Sequence, residues 1–105
     1  MSFQDNLATM PAIDHLSGLN VRNEAGETIH HIPAAPGKLG SLKLYNALAQ
    51  QFDNRLNAEA AAQGLAWFAE HTADAAENPG KHPNVDLLVK VQTEGLAYTL
   101  EPIPA

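Results

Sequence analysis

The apolar residues of this chain change their repeat twice, and that limits its folding options more than any other feature. Around Leu19 and Val21 they alternate with Asn20 and Arg22. From Ser41 to about Glu77 they recur at helical spacing, and from Val85 to Leu100 they alternate again. Alternation marks a strand with one buried face, whereas recurrence every three to four residues marks a helix with one buried stripe.

The punctuation between these stretches sharpens the expectation. Leu16–Asn23 and Glu27–Ile32 are read as strands joined by Glu24-Ala25-Gly26, a three-residue hairpin connection ending in glycine. In the second of these, Ile29 and Ile32 have opposite parity, so its inward face is ambiguous. Pro33-Ala34-Ala35-Pro36-Gly37 interrupts regular structure. The helix that follows gathers Leu44, Tyr45, Leu48, Ala49 and Phe52 on one stripe, with Lys43, Asn46 and Gln50 opposite. Asn57 is placed to cap a longer helix running to about Glu77, which Asn78-Pro79-Gly80 ends. Val85, Leu87, Val89 and Val91 then read as a strand, Thr93-Glu94-Gly95 as a turn, and Leu96, Tyr98 and Leu100 as its return. Glu101–Ala105, with Pro102 and Pro104, reads as an extended tail that cannot donate normally to a ladder. A short helix opens the chain, with Ser2 as its cap, Phe3, Leu7 and Met10 on one side, and Pro11 at its end. The expected fold is one α+β domain over residues 1–105, in the order α-ββ-αα-ββ. Two hairpins form an antiparallel sheet of about four strands, backed by two main helices.

Length and composition agree with a single core: 105 residues, 45% hydrophobic and 17% charged. The absence of cysteine excludes thiolate catalysis, thiolate metal sites and disulfides. Twelve acids against six bases give a net charge of −6, the wrong sign for a phosphate-backbone binder, so no nucleic acid is expected. No apolar run approaches a membrane span and the first residues lack a secretory pattern, so a cytoplasmic protein without a membrane partner is expected. Protonating all five histidines would take the charge from −6 to −1, so solubility should fall near pH 5.

Chemistry-bearing residues fall into two groups. On the long helix, Ala61, Leu65, Phe68, Ala69, Thr72 and Ala76 form the expected core stripe, and Glu59, Gln63, Glu70, Asp74 and Glu77 an acidic one. Trp67 lies beside the acids, flanked by Ala60, Gly64 and His71. Either the helix is sandwiched, with Gly64 admitting a close neighbour, or Trp67 and His71 form a partner-binding surface. A metal site from Glu70, His71 and Asp74 has poor angular placement, and Lys81 and His82 are positioned to neutralise the acids instead. His30 and His31 are adjacent in an expected strand and point to opposite faces.

The second group is Gly37-Lys38-Leu39-Gly40-Ser41. It departs from a Walker loop, with Ile32 where glycine is required and Leu39 where serine or threonine is required. Amides at a helix start, with Lys38, Gly40, Ser41 and Lys43, could hold a small anion; the plainer alternative is a loop with Ser41 as N-cap. The serines sit in no nucleophile motif, so no enzyme activity, cofactor or metal is expected.

Pro36-Gly37-Lys38-Leu39-Gly40-Ser41-Leu42-Lys43-Leu44-Tyr45-Asn46-Ala47-Leu48 and Gly64-Leu65-Ala66-Trp67-Phe68-Ala69-Glu70-His71-Thr72 resemble a small bacterial family catalogued only as a domain of unknown function. The resemblance spans nearly the whole chain and implies a bacterial cytoplasmic protein, with no activity, cofactor or catalytic residue attached. Two functional expectations stand. One is a non-catalytic interaction or regulatory module, with a protein partner or a homodimer, using Trp67 and His71 or a sheet edge. The other is a small-anion or metabolite binder at Gly37–Ser41. A metal-dependent enzyme is a third and weaker reading.

Overall fold

A computed structural model describes residues 2–105. The chain opens with α1 (Phe3–Leu7), and β1 (Leu16–Arg22) and β2 (Thr28–Pro33) form a hairpin. Next come α2 (Leu39–Gln51), the two-residue β3 (Arg55–Leu56), α3 (Ala58–Phe68) and α4 (Glu70–Glu77). The chain closes with α5 (Pro83–Glu94) and β4 (Tyr98–Pro104). The strands make one antiparallel sheet in the order β2-β1-β4-β3. The fold is α+β, a four-stranded antiparallel sheet backed by helices.

Local chemistry accounts for most boundaries. Ser2 and Asp5 cap α1 reciprocally: Ser2 Oγ accepts from Asp5 N–H at 3.1 Å, and Asp5 Oδ2 accepts from Ser2 N–H at 3.3 Å. At the first hairpin turn, Asn23 Oδ1 accepts from the amides of Ala25 and Glu27. Asn57 Oδ1 accepts from Ala60 N–H at 3.0 Å and starts α3. Leu19, Val21, Ile32 and Leu100 turn inward from the sheet, which resolves the parity of β2: Ile32 is buried and Ile29 exposed. On the outer face Arg22 meets Glu101 at 2.8 Å. His31 lies 2.7 Å from Asn20 on that face, and His30 on the inner one, so the two rings do diverge.

The second hairpin does not form. Residues 83–94 are helix α5, and β4 pairs instead with β1 and β3. The buried side chains Val85, Leu88 and Val91 follow helical spacing, while Val89 is 43% exposed. Leu88 occupied a polar slot in the alternating reading, and that conflict was the sign of a helix. Pro83 suits a first helical position, where its missing N–H has no intrahelical role, and Gly95 is a left-handed C-terminal cap with φ 64° rather than a hairpin residue.

The proline tail is extended, as expected, and forms part of β4. Leu100 N–H points towards β3, donating to Asn54 O at 2.7 Å, and Pro102 and Pro104 share its parity. Beyond the two residues of β3 nothing pairs with that side of β4, so the prolines forfeit no ladder bond.

Two helical expectations also change. The 57–77 helix breaks at Ala69, whose φ of 51° and ψ of −114° are strained for a residue with a Cβ. Thr72 Oγ1 donates to Leu65 O at 2.6 Å across the break. The acidic stripe is therefore not continuous, and beyond the break Ala75 is buried where Ala76 had been expected. Helix α2 is buried nearly all round, because it touches all four strands as well as α1 and α3. Asn46, expected opposite the core, is 2% exposed, and its Nδ2 has no hydrogen-bond partner among the described residues.

Candidate functional site

One cleft of about 410 Å³ gathers residues from all five helices. The start of α2, the segment from Lys81 into α5, His71 of α4 and Phe3 of α1 all border it. The break at Ala69 turns a new helix, α4, and His71 and Asp74 both lie in it.

The charged wall is built on Asp74. His82 Nε2–H donates to Asp74 Oδ2 at 2.6 Å, and Lys81 Nζ reaches the same oxygen at 2.9 Å. The bonds from His82, then Lys81, hold the Asp74 carboxyl down at about 2. Ionised, Asp74 can only accept, which places a proton on His82 Nε2. The His82 ring lies 5.1 Å from that of His71, which meets Phe3 edge-on at 4.8 Å. Phe3 in turn stacks on Phe68 at 5.4 Å. Glu70 is committed to this wall's support: it accepts from Phe3 N–H at 2.7 Å, and that bond is the main reason its carboxyl titrates below the usual range.

The opposite wall is the start of α2. Its N-cap is Lys38, which supplies no side-chain cap, and Ser41 lies inside the first turn rather than at the cap. Leu42 N–H donates to Lys38 O at 3.0 Å. The three amides before it, of Leu39, Gly40 and Ser41, are those a helix start leaves without an intrahelical carbonyl. Gly40 packs closely on Phe3: a Cβ there would sit 3.1 Å from the ring and require it to give by a few tenths of an ångström.

Asn84 joins the two walls. Helix α5 also starts without a side-chain cap. The Tyr45 hydroxyl, in the middle of α2, donates to the Asn84 backbone carbonyl at 2.6 Å. Tyr45 is fully enclosed, and burial pushes its phenol pKa far up. His30 Nε2–H donates to Asn84 Oδ1 at 2.6 Å from the inner face of β2.

The structure thus unites part of each sequence-derived group and separates the rest. Lys38, Gly40 and Ser41 share the cleft with His71, which the sequence had assigned to a different site. Lys43 faces a second hollow beside Leu7, Ile13 and Leu16. Trp67 is partly buried against the core, and its carbonyl accepts from Asn6 Nδ2 at 2.9 Å. Gly64 does admit a close neighbour, since a Cβ there would lie 2.6 Å from Leu88 Cδ1 of α5. The sequence reading missed Asn84 altogether, because its residue stood just before an expected strand. Pro83 and Gly95, taken together as helix start and stop, were the signal that would have found it.

Among the described residues, no group of three or more His, Asp or Glu could hold a metal ion. Nor, among those residues, is any helix long and apolar enough to cross a membrane. Fold and site therefore define a small α+β domain with a polar cleft at the meeting of two helix starts. The chain belongs to the family described as "Uncharacterized protein conserved in bacteria (DUF2322)", whose model matches residues 3–102. That family brings no specific function with it. No curated protein and no solved structure matches the chain.

Proposed function

We propose that this protein binds a small anionic metabolite in the cleft between the starts of α2 and α5. One observation carries the reading: two helices begin at the same cleft and neither N-terminus is closed by a side chain. A helix start favours a negative group through its unpaired N–H donors and the positive end of the backbone dipole; the amides of Leu39, Gly40 and Ser41 supply them at α2, whereas at α5 Pro83 has no N–H and Val85 N–H donates to His82 O. Lys38 adds a cation that forms no ion pair among the described residues, whereas Lys81 is engaged by Asp74. The cleft is of a size that takes a small molecule.

The test is thermal unfolding of wild type and Lys38→Ala with inorganic phosphate, succinate and ribose 5-phosphate at constant ionic strength. A ligand at ten times its Kd stabilises by about 1.4 kcal/mol, or roughly 6–11 °C in Tm for a domain of this size. At least one anion should raise the wild-type Tm in this way and fail to do so in Lys38→Ala. A flat response to all three in wild type removes the proposal.

A further inference from the structure

We propose that residues 58–77 form a two-state helix, broken at Ala69 while α1 is docked and continuous once α1 leaves. Straightening withdraws His71 and Asp74 from the cleft, so the state of α1 sets the cleft's shape. This device acts on the cleft whatever occupies it and does not rest on the anion-binding reading.

The break has no local cause. Residues 66–72 hold neither glycine nor proline, and alanine is the residue that most favours a helix. Yet Ala69 takes φ 51° and ψ −114°. The other two residues with positive φ and a side chain are Asp53 and Asn54, types that visit that region routinely. For alanine it is strain, and strain persists only where the surroundings impose it.

The surroundings that impose it belong to α1. In a continuous helix the carbonyls of Leu65 and Trp67 would accept from the amides of Ala69 and His71. Here Leu65 O accepts from Thr72 Oγ1 at 2.6 Å, and Trp67 O from Asn6 Nδ2 of α1 at 2.9 Å. Just past the break, Glu70 accepts from Phe3 N–H at 2.7 Å. The Phe3 ring stacks on Phe68 and meets His71 edge-on, so it bridges the two helices. Both long-range hydrogen bonds and both aromatic contacts of α1 thus fall within residues 67–71.

A five-residue helix does not hold together unaided, so α1 is formed only while it is docked. When it leaves, Trp67 O loses its donor, and the His71 amide can replace it only if Ala69 turns to helical angles. That rotation carries everything beyond Ala69 off its present axis, including Asp74 with its bonds to His82 and Lys81. Those bonds and the buried Ala75 oppose the change, which makes the continuous helix the minor state.

Carbon-13 saturation-transfer NMR of the full chain reads such a state directly. Wild type should show one exchange process shared by α1 and residues 66–72, with the Ala69 Cα at a helical shift in the minor form. Ala69→Gly accepts the broken angles without strain and disfavours the helix, so it should cut that population about tenfold or more. Asn6→Ala with Glu70→Ala removes both bonds from α1 and should raise it about tenfold or more, with loss of hydrogen-exchange protection across α1. A double variant in which α1 stays protected, or loses protection while Ala69 shows no helical state, would overturn the proposal. If that variant does not fold, wild type decides: no exchange process common to α1 and residues 66–72, or one in which Ala69 never becomes helical, overturns it equally.

Discussion

Replacing Tyr45 by phenylalanine removes one oxygen from the centre of the molecule and tests the tie between the middle of α2 and the start of α5. The hydroxyl is fully buried and donates to the Asn84 carbonyl at 2.6 Å. That carbonyl lies in the first turn of α5 and also faces the amide four residues on, so losing Tyr45 does not orphan it. The expected penalty is therefore that of one net hydrogen bond, about 1 kcal/mol, rather than a full desolvation penalty of up to about 3 kcal/mol. For a domain of this size, about 1 kcal/mol corresponds to a fall in Tm of roughly 4–8 °C. Urea unfolding at pH 7 should give the same value with an unchanged slope. Alkaline pH supplies a second, independent reading. Burial raises the Tyr45 phenol pKa in the folded state, so its contribution is fully present below the unfolded value of about 10 and is lost as pH rises above it. Tyr45→Phe should thus be less stable than wild type at pH 7 and lose less stability than wild type above pH 10. A variant as stable as wild type at pH 7, with an identical alkaline decline, would refute both the bond and the burial.

Two further outcomes follow from the packing and the charged wall. Gly64→Ala gains about 1 kcal/mol of helix propensity but forces a Cβ to 2.6 Å from Leu88 Cδ1 and 3.0 Å from Leu48 Cδ1, both in fully buried side chains. Overpacking of about 1–3 kcal/mol should outweigh the gain and lower Tm, and a rise in Tm would show that α3 and α5 can part freely. Asp74 is held below its ordinary range by His82 and Lys81, so its contribution is present above about pH 4 and lost as pH falls towards about 2. Asp74→Asn should lower Tm near neutrality, and the gap from wild type should close between pH 4 and 2; a gap that persists at pH 2 would assign the effect to packing.

Local signals were legible wherever a short segment supplied its own reason for its conformation. Ser2, Asn57 and Asn78-Pro79-Gly80 act on backbone within a few residues, and the structure uses them as the sequence implies. The same holds for the first hairpin. The 85–91 segment misled because alternating valines suit a half-buried strand, while three residues at helical spacing suit a helix just as well. That choice was made by α3, which packs along α5 and needs Val85, Leu88 and Val91 on one face.

The sequence by itself determined the class of the fold, an acidic chain without thiol chemistry, and the loop Gly37–Ser41 as a place where an anion could be met. It could do so because composition, caps and turn residues act locally. Only the tertiary structure decided that His71 meets this loop while Lys43 turns from it, and that Asn84 accepts from both His30 and Tyr45. Those relations span about forty residues of chain from Tyr45 to Asn84. They are set by which helices share a core, and no periodicity within one segment carries that information.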